Sequence, residues 1–250
     1  MFNKIVQLKC LSEWMQQKGI VNGMSKSKET IEMFIYHKLR DSILKRQLAP
    51  GNQLVENVIA DKLNVGRTPI RGAIRKLAEE GLVNIIPNRG AFVIQPTKDE
   101  IVQAYELRME LEQLAARLSV PFMEEPDYAE MERLCDEEGQ TIQNSDFRAY
   151  LQINKAFHMS YIRKCANLFL IDFAERLMDQ TNIYLILYET VFFHTSAQTA
   201  PGAAEHREII RAFRAKNAEL AGMMVRSHIA NAMNTLQIDN VQFASLGDIF

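Results

Sequence analysis

Cysteine is scarce in this chain: Cys10, Cys135 and Cys165 are the only three, far apart and without a CxxC pair. A disulfide framework or a thiolate zinc cluster is therefore not expected, and a reducing cytoplasm fits best. No GxGxxG, glycine-rich phosphate loop, GxSxG or repeat of solenoid period occurs, so a nucleotide-dependent enzyme is not suggested. No segment is long and apolar enough to span a bilayer. Lys9, Glu13 and Lys18 interrupt the N-terminal stretch, which does not read as a signal peptide. Residues 1–27 are expected to form an extension, either a short helix using Ile5, Leu8, Leu11, Trp14 and Met15 or a stretch upstream of a start at Met24.

What is present is an ordinary globular composition, 47% hydrophobic and 24% charged over 250 residues, enough for two domains. The net charge of −2 hides an asymmetry. Residues 1–96 carry 15 Lys+Arg against 8 Asp+Glu, whereas residues 97–250 carry 14 against 23. A basic half joined to an acidic half suggests that the first half alone meets nucleic acid.

Within the basic half, Arg67, Arg71 and Arg75 recur at i, i+4, i+8, and Ile70, Ala73, Ile74 and Leu77 occupy the opposite face of the same helix. An arginine row of this kind can meet phosphates and guanine edges together. A shorter helix over Leu54–Asn64, joined through Val65-Gly66, completes the spacing of a helix-turn-helix. Pro69 suits a first turn, where its missing N–H costs nothing. Leu82–Ile86 and Ala91–Ile94 read as two strands around Pro87–Gly90, with Gly90 free to take positive φ. The expectation for residues 28–96 is a winged helix-turn-helix with Arg89 at the wing tip.

Residues 97–250 read as an all-α antiparallel bundle of six or seven helices, so that the fold class is mainly α. Expected helices are Asp99–Leu118, Asp127–Asn144, Asp146–Arg163, Leu168–Tyr188, Ala203–Ala215 and Asn217–Leu236, with Asn167 and Asn217 as N-caps. On the first of these, Ile101, Ala104, Tyr105, Leu107, Leu111 and Leu114 should face inward. His158, His206 and His228 lie on helices that a bundle could bring together, and Asn154 shares a face with His158 at i, i+4. Three imidazoles and an oxygen suit Zn²⁺ or a similar divalent ion, although a histidine on a helix is more often structural. Glu205 is next to His206 but points about 100° away.

From Lys28 onward the chain carries Pro50-Gly51-Asn52-Gln53-Leu54, Val65–Arg71, Leu77–Val83 and Asn88–Val93, then Leu107–Glu112, Phe157-His158, Ala166-Asn167, Glu205-His206 and Ser227-His228. In these motifs it resembles the GntR-type bacterial transcription regulators, in the branch carrying the FadR C-terminal (FCD) domain. The resemblance implies a homodimer that engages inverted-repeat operator DNA, with a small organic acid as effector of the helical domain. It implies DNA contacts by Arg67, Thr68, Arg71, Arg89 and Gly90, to which the arginine row adds Arg75. It also implies a metal held by Asn154, His158, His206 and His228, zinc with nickel or manganese as alternatives. Asn154 departs from the family's aspartate, so the ion should bind less tightly and an effector carboxylate could complete its shell. Gly66 and Gly72 stand where the family usually has Ser and Glu. Arg108 and His194 are further candidates for effector contact, against an intramolecular salt bridge for Arg108 and a packed structural role for His194.

Two other functions remain compatible with the sequence. One is a metal sensor in which the ion is itself the signal. The other is a metal-dependent hydrolytic enzyme fused to a DNA-binding domain, for which no general base stands out near the histidines.

Overall fold

A computed structural model describes residues 30–188, 201–236 and 238. These fall into two compact units, the first ending at Gln95 and the second beginning at Pro96. The extension expected over residues 1–27 lies outside the described residues, as does His194.

The first unit contains α1 (Ile31–Leu44), α2 (Glu56–Leu63), α3 (Arg67–Glu79) and the hairpin β1 (Val83–Ile86) and β2 (Gly90–Val93). Helix α1 has no counterpart among the sequence expectations, because Ile31 to Tyr36 is nearly continuously apolar and dilutes the helical period. The Thr30 hydroxyl accepts from Met33 N–H at its start, and Ile35, Leu39 and Ile43 are fully buried. Helix α2 begins later than expected because Leu54 N–H donates to Ala91 O at 2.8 Å, which draws Gln53-Leu54 alongside the hairpin. On α3, Ile70, Ala73, Ile74 and Leu77 are at most 3% exposed. Burial of about 1.5–3 kcal/mol per large aliphatic side chain fixes the arginine face outward. The hairpin is antiparallel, with Val83 opposite Val93 and Ile86 opposite Gly90. Gly90 sits at φ +103°, a conformation a β-carbon would strain.

The second unit has six α-helices among the described residues: α4 (Lys98–Ser119), α5 (Glu125–Gln143), α6 (Phe147–Ile162), α7 (Leu168–Tyr188), α8 (Pro201–Arg214) and α9 (Ala218–Asn234). A Thr97–Glu100 capping box starts α4. Asn167 and Asn217 cap as expected, accepting from the N–H groups of Leu170 and Leu220 at 3.1 and 3.0 Å. Helix α9 packs against α4 and α8, α5 against α6 and α8, and α7 against α4. No described helix is long and apolar enough to cross a membrane.

One expectation for α4 is corrected. Leu107 and Leu114 are 53% and 39% exposed, because the inward face is taken instead by the charged pair Arg108 and Glu112, 2% and 0% exposed. The leucines form an outer ridge with Leu118, and α7, which packs against α4, exposes Phe169 and Phe173.

Where α9 meets α4, a β-carbon on Gly222 would lie 2.9 Å from Arg117 Cγ and 3.2 Å from the Gln113 carbonyl oxygen. Alanine would gain ~1 kcal/mol of helix propensity there, but it forces the two helices apart at backbone level, which typically costs about 1–3 kcal/mol. Gly222→Ala is therefore expected to lower the melting temperature of the helical unit, and an unchanged or higher value would show that the helices separate freely.

Candidate DNA-reading surface and trihistidine centre

Helix α3 exposes Arg67, Thr68, Arg71 and Arg75 to solvent, and the wing exposes Arg89 and Gly90. Arg71 Nε donates to Glu56 Oε2 at 2.8 Å, an exposed pair worth little in stability but one that ties the guanidinium to the first residue of α2. The Arg89 guanidinium lies 5.8 Å from the Phe92 ring centroid, and Gln53 Nε2 donates to the Arg89 carbonyl at 2.8 Å. Gln53 also bridges to Phe92, so the Pro50–Leu54 segment braces the wing tip.

In the helical unit, α6, α8 and α9 bring His158, His206 and His228 together, all buried, with ligand nitrogens within 4.8 Å of one another. Each imidazole is held from behind by a carboxylate. His158 Nδ1 lies 2.6 Å from Glu112 Oε2, His206 Nδ1 lies 2.8 Å from Glu138 Oε2, and His228 Nδ1 lies 2.7 Å from Glu205 Oε2. Tyr161 O–H also donates to Glu112 Oε2, at 2.8 Å, and Asn231 Nδ2 donates to Glu205 at 2.6 Å.

An Nδ1–H directed at a carboxylate leaves the Nε2 lone pair free for an ion. His206 Nε2 and His228 Nε2 are 3.1 Å apart, while His158 Nε2 is buried without a hydrogen-bond partner among the described residues. Two lone pairs that close repel unless a proton or cation lies between them. Nitrogen ligands ~2.0–2.1 Å from one ion stand about 2.9–3.4 Å apart, depending on coordination angle, so the residues present fit a divalent metal. Burial, the strongest influence on His158, pushes it down to about 3 against the pull of Glu112. Burial also opposes charge on Glu112, but Arg108 and His158 outweigh it and keep that carboxyl below the usual range.

Asn154 is buried on α6, one turn ahead of His158. Arg108 forms the intramolecular pair: its Nε donates to Glu112 Oε1 at 2.5 Å and Nη1 to Thr181 Oγ1 at 3.1 Å. It therefore orients the carboxylate behind His158. Sequence reading missed the backing carboxylates. Glu112 and Glu138 are distant in sequence from their histidines and carry no local signal, whereas Glu205 turns away from adjacent His206 as the helix angle requires and serves His228 instead. Cys135 lies close to this network, and burial together with Glu138 pushes its thiol up to about 12.

Comparison with known proteins identifies the class to which the two units belong. Residues 32–93 match the bacterial regulatory proteins of the gntR family, and residues 103–231 match the FCD domain. The chain belongs to the gntR family of bacterial regulatory proteins, with a C-terminal FCD domain. It is 30% identical over 204 residues to an HTH-type transcriptional regulator in an unstable DNA locus of Streptomyces ambofaciens, covering 81% of this chain and 84% of that one. It is 28% identical over 130 residues to the HTH-type transcriptional repressor RspR of Escherichia coli K12, covering 52% of this chain and 57% of RspR. The solved structure of Lar from Listeria monocytogenes superposes with a TM-score of 0.61 at 20% identity, covering 84% of this chain and 98% of Lar. At that identity the likeness speaks for the fold. Family and relatives alike point to a regulator rather than an enzyme.

Proposed function

We propose that this regulator is a cytoplasmic repressor whose operator affinity is set by a small carboxylate effector bound at a divalent metal, held by His158, His206, His228 and Asn154. The observation that carries this reading is the set of three Nδ1–carboxylate contacts, which aims three imidazoles into one buried point. An ion there, zinc in preference to nickel or manganese, would supply Lewis acidity and open positions for an anion. Arg67, Thr68, Arg71, Arg75, Arg89 and Gly90 are the DNA contacts of this reading, on an inverted-repeat operator. Repression draws support from the likeness to RspR. A homodimer draws support from the exposed Leu107, Leu114 and Leu118 on one face of α4 and the exposed Phe169 and Phe173 of α7, which packs against α4, since large apolar side chains gathered at a surface mark interaction sites.

Gel shifts on the chain's own upstream DNA test the reading. Metal plus a carboxylate should change operator affinity where metal alone does not; a full response to metal alone would make the ion the signal. Asn154→Asp should tighten metal and loosen the anion, each by tenfold or more, because one added charge at ~4 Å is worth ~4 kcal/mol at an effective dielectric of ~20 before desolvation is subtracted. Isothermal titration with zinc and then a carboxylate reads both constants. If neither moves, Asn154 is not a ligand.

A further inference from the structure

Behind the trihistidine centre lies a second set of donors. Cys135 and Glu138 are three residues apart on α5 and so share a face. The Cys135 thiol, a Glu138 oxygen and a His206 nitrogen lie within 4.8 Å of one another, and all three residues are buried. Glu138 uses Oε2 toward His206 Nδ1, but its other oxygen, Oε1, is buried with no hydrogen-bond partner among the described residues. A buried carboxylate oxygen without a donor is an unmet acceptor, and beside a thiol and an imidazole nitrogen a cation can meet it. Sulfur, carboxylate oxygen and imidazole nitrogen together suit a borderline-soft divalent ion such as zinc, cobalt or cadmium rather than magnesium or calcium.

We propose that Cys135, Glu138 and His206 form a second, thiophilic cation site that shares the His206 ring with the trihistidine centre. The two edges of that ring face different ways: Nδ1 toward Glu138 and Nε2 toward His228, 3.1 Å away. A neutral imidazole has one lone pair on nitrogen, so it serves one centre at a time. An ion on Nδ1 leaves the proton on Nε2, where it donates to His228; an ion on Nε2 leaves the proton on Nδ1, where it donates to Glu138. Binding at the second site displaces the Cys135 thiol proton to solvent and closes the Cys–Glu–His set around the ion. His206 thereby becomes a selector between a nitrogen-only centre and a sulfur-containing one, and a thiophilic ion would withdraw a ligand from the effector centre without touching the effector.

The test is cadmium chloride titrated into the full chain, read by thiolate-to-cadmium ultraviolet absorption. His228→Ala removes one ligand of the trihistidine centre but none of the second site, so its thiolate signal should equal or exceed that of the wild-type chain. Cys135→Ser should abolish the signal in both backgrounds, while Cys165→Ser should leave it. His158→Ala gives an independent background if His228→Ala does not fold, with circular dichroism reporting folding for every variant. The proposal is overturned if saturating cadmium gives no thiolate absorption in either histidine variant, or if Cys135→Ser leaves the absorption unchanged. Because the decisive signal is measured with the trihistidine centre disabled, its failure is separate from failure of the metal–carboxylate reading above.

Discussion

Arg71→Ala is expected to weaken operator binding by about 1–3 kcal/mol, roughly five- to 150-fold, while leaving folding stability within about 0.5 kcal/mol of the parent. The two halves of that expectation come from one geometry. Arg71 stands on the solvent face of α3, its side chain 61% exposed, so folding gains little from it. Among the described residues its charged partner is Glu56, at 2.8 Å, and an exposed pair contributes ~0–1 kcal/mol. Arg67 and Arg75 lie one turn to either side on the same exposed face, and alanine at each should act similarly. Measuring affinity at several salt concentrations separates their roles. An arginine on phosphate lowers the slope of log K against log salt by about one unit and weakens all sequences alike, whereas one on a guanine edge relaxes specificity at one base pair. Unchanged affinity in the triple variant would remove α3 from the interface.

The second large effect concerns the buried centre. Zinc at about one hundred times its dissociation constant should stabilise the folded chain by ~2.7 kcal/mol, which for a unit of this size is a rise in melting temperature of roughly 5–10 °C. Chelator should reverse the rise. His228→Ala should abolish it, because the ion loses one of three nitrogens that converge within 4.8 Å. Glu205→Gln should keep the site but weaken it by about 10–100-fold, the usual cost of altering the group that orients a metal-binding imidazole. Differential scanning fluorimetry with and without metal measures all three. A parent chain whose melting temperature ignores zinc, nickel and manganese would sink the metal reading, and an unaltered shift in His228→Ala would move the site elsewhere.

How far the sequence reached depended on the range of the signal. Elements with local signatures were legible: the arginine row and apolar stripe of α3, the Gly90 turn, the Asn167 and Asn217 caps, and six helices of the acidic half. Periodicity failed where two faces compete. On α4 it marked Leu107 and Leu114 as core, because hydrophobicity alone cannot foresee that Arg108 and Glu112 neutralise each other and take the inner face. The three histidines were identifiable as candidates, but spacing alone left them ambiguous. What turns them into a candidate site is the trio Glu112, Glu138 and Glu205, whose pairing depends on how α4, α5, α6, α8 and α9 pack. No window of sequence contains that information. The role of Arg108 followed the same pattern, since only packing shows that it acts through Glu112.

The outer leucine ridge has a consequence for abundance. Leu107, Leu114 and Leu118 lie two turns and then one turn apart on one face of α4, a strip about 17 Å long at 1.5 Å per residue. If a second copy covers it, as proposed, subunits below the dissociation constant of that pairing dimerise with second-order dependence, and doubling their number raises the dimer about fourfold by mass action. Operator occupancy then climbs more steeply than gene expression does, so a modest change in how much of the chain is made becomes a sharper change in what it regulates.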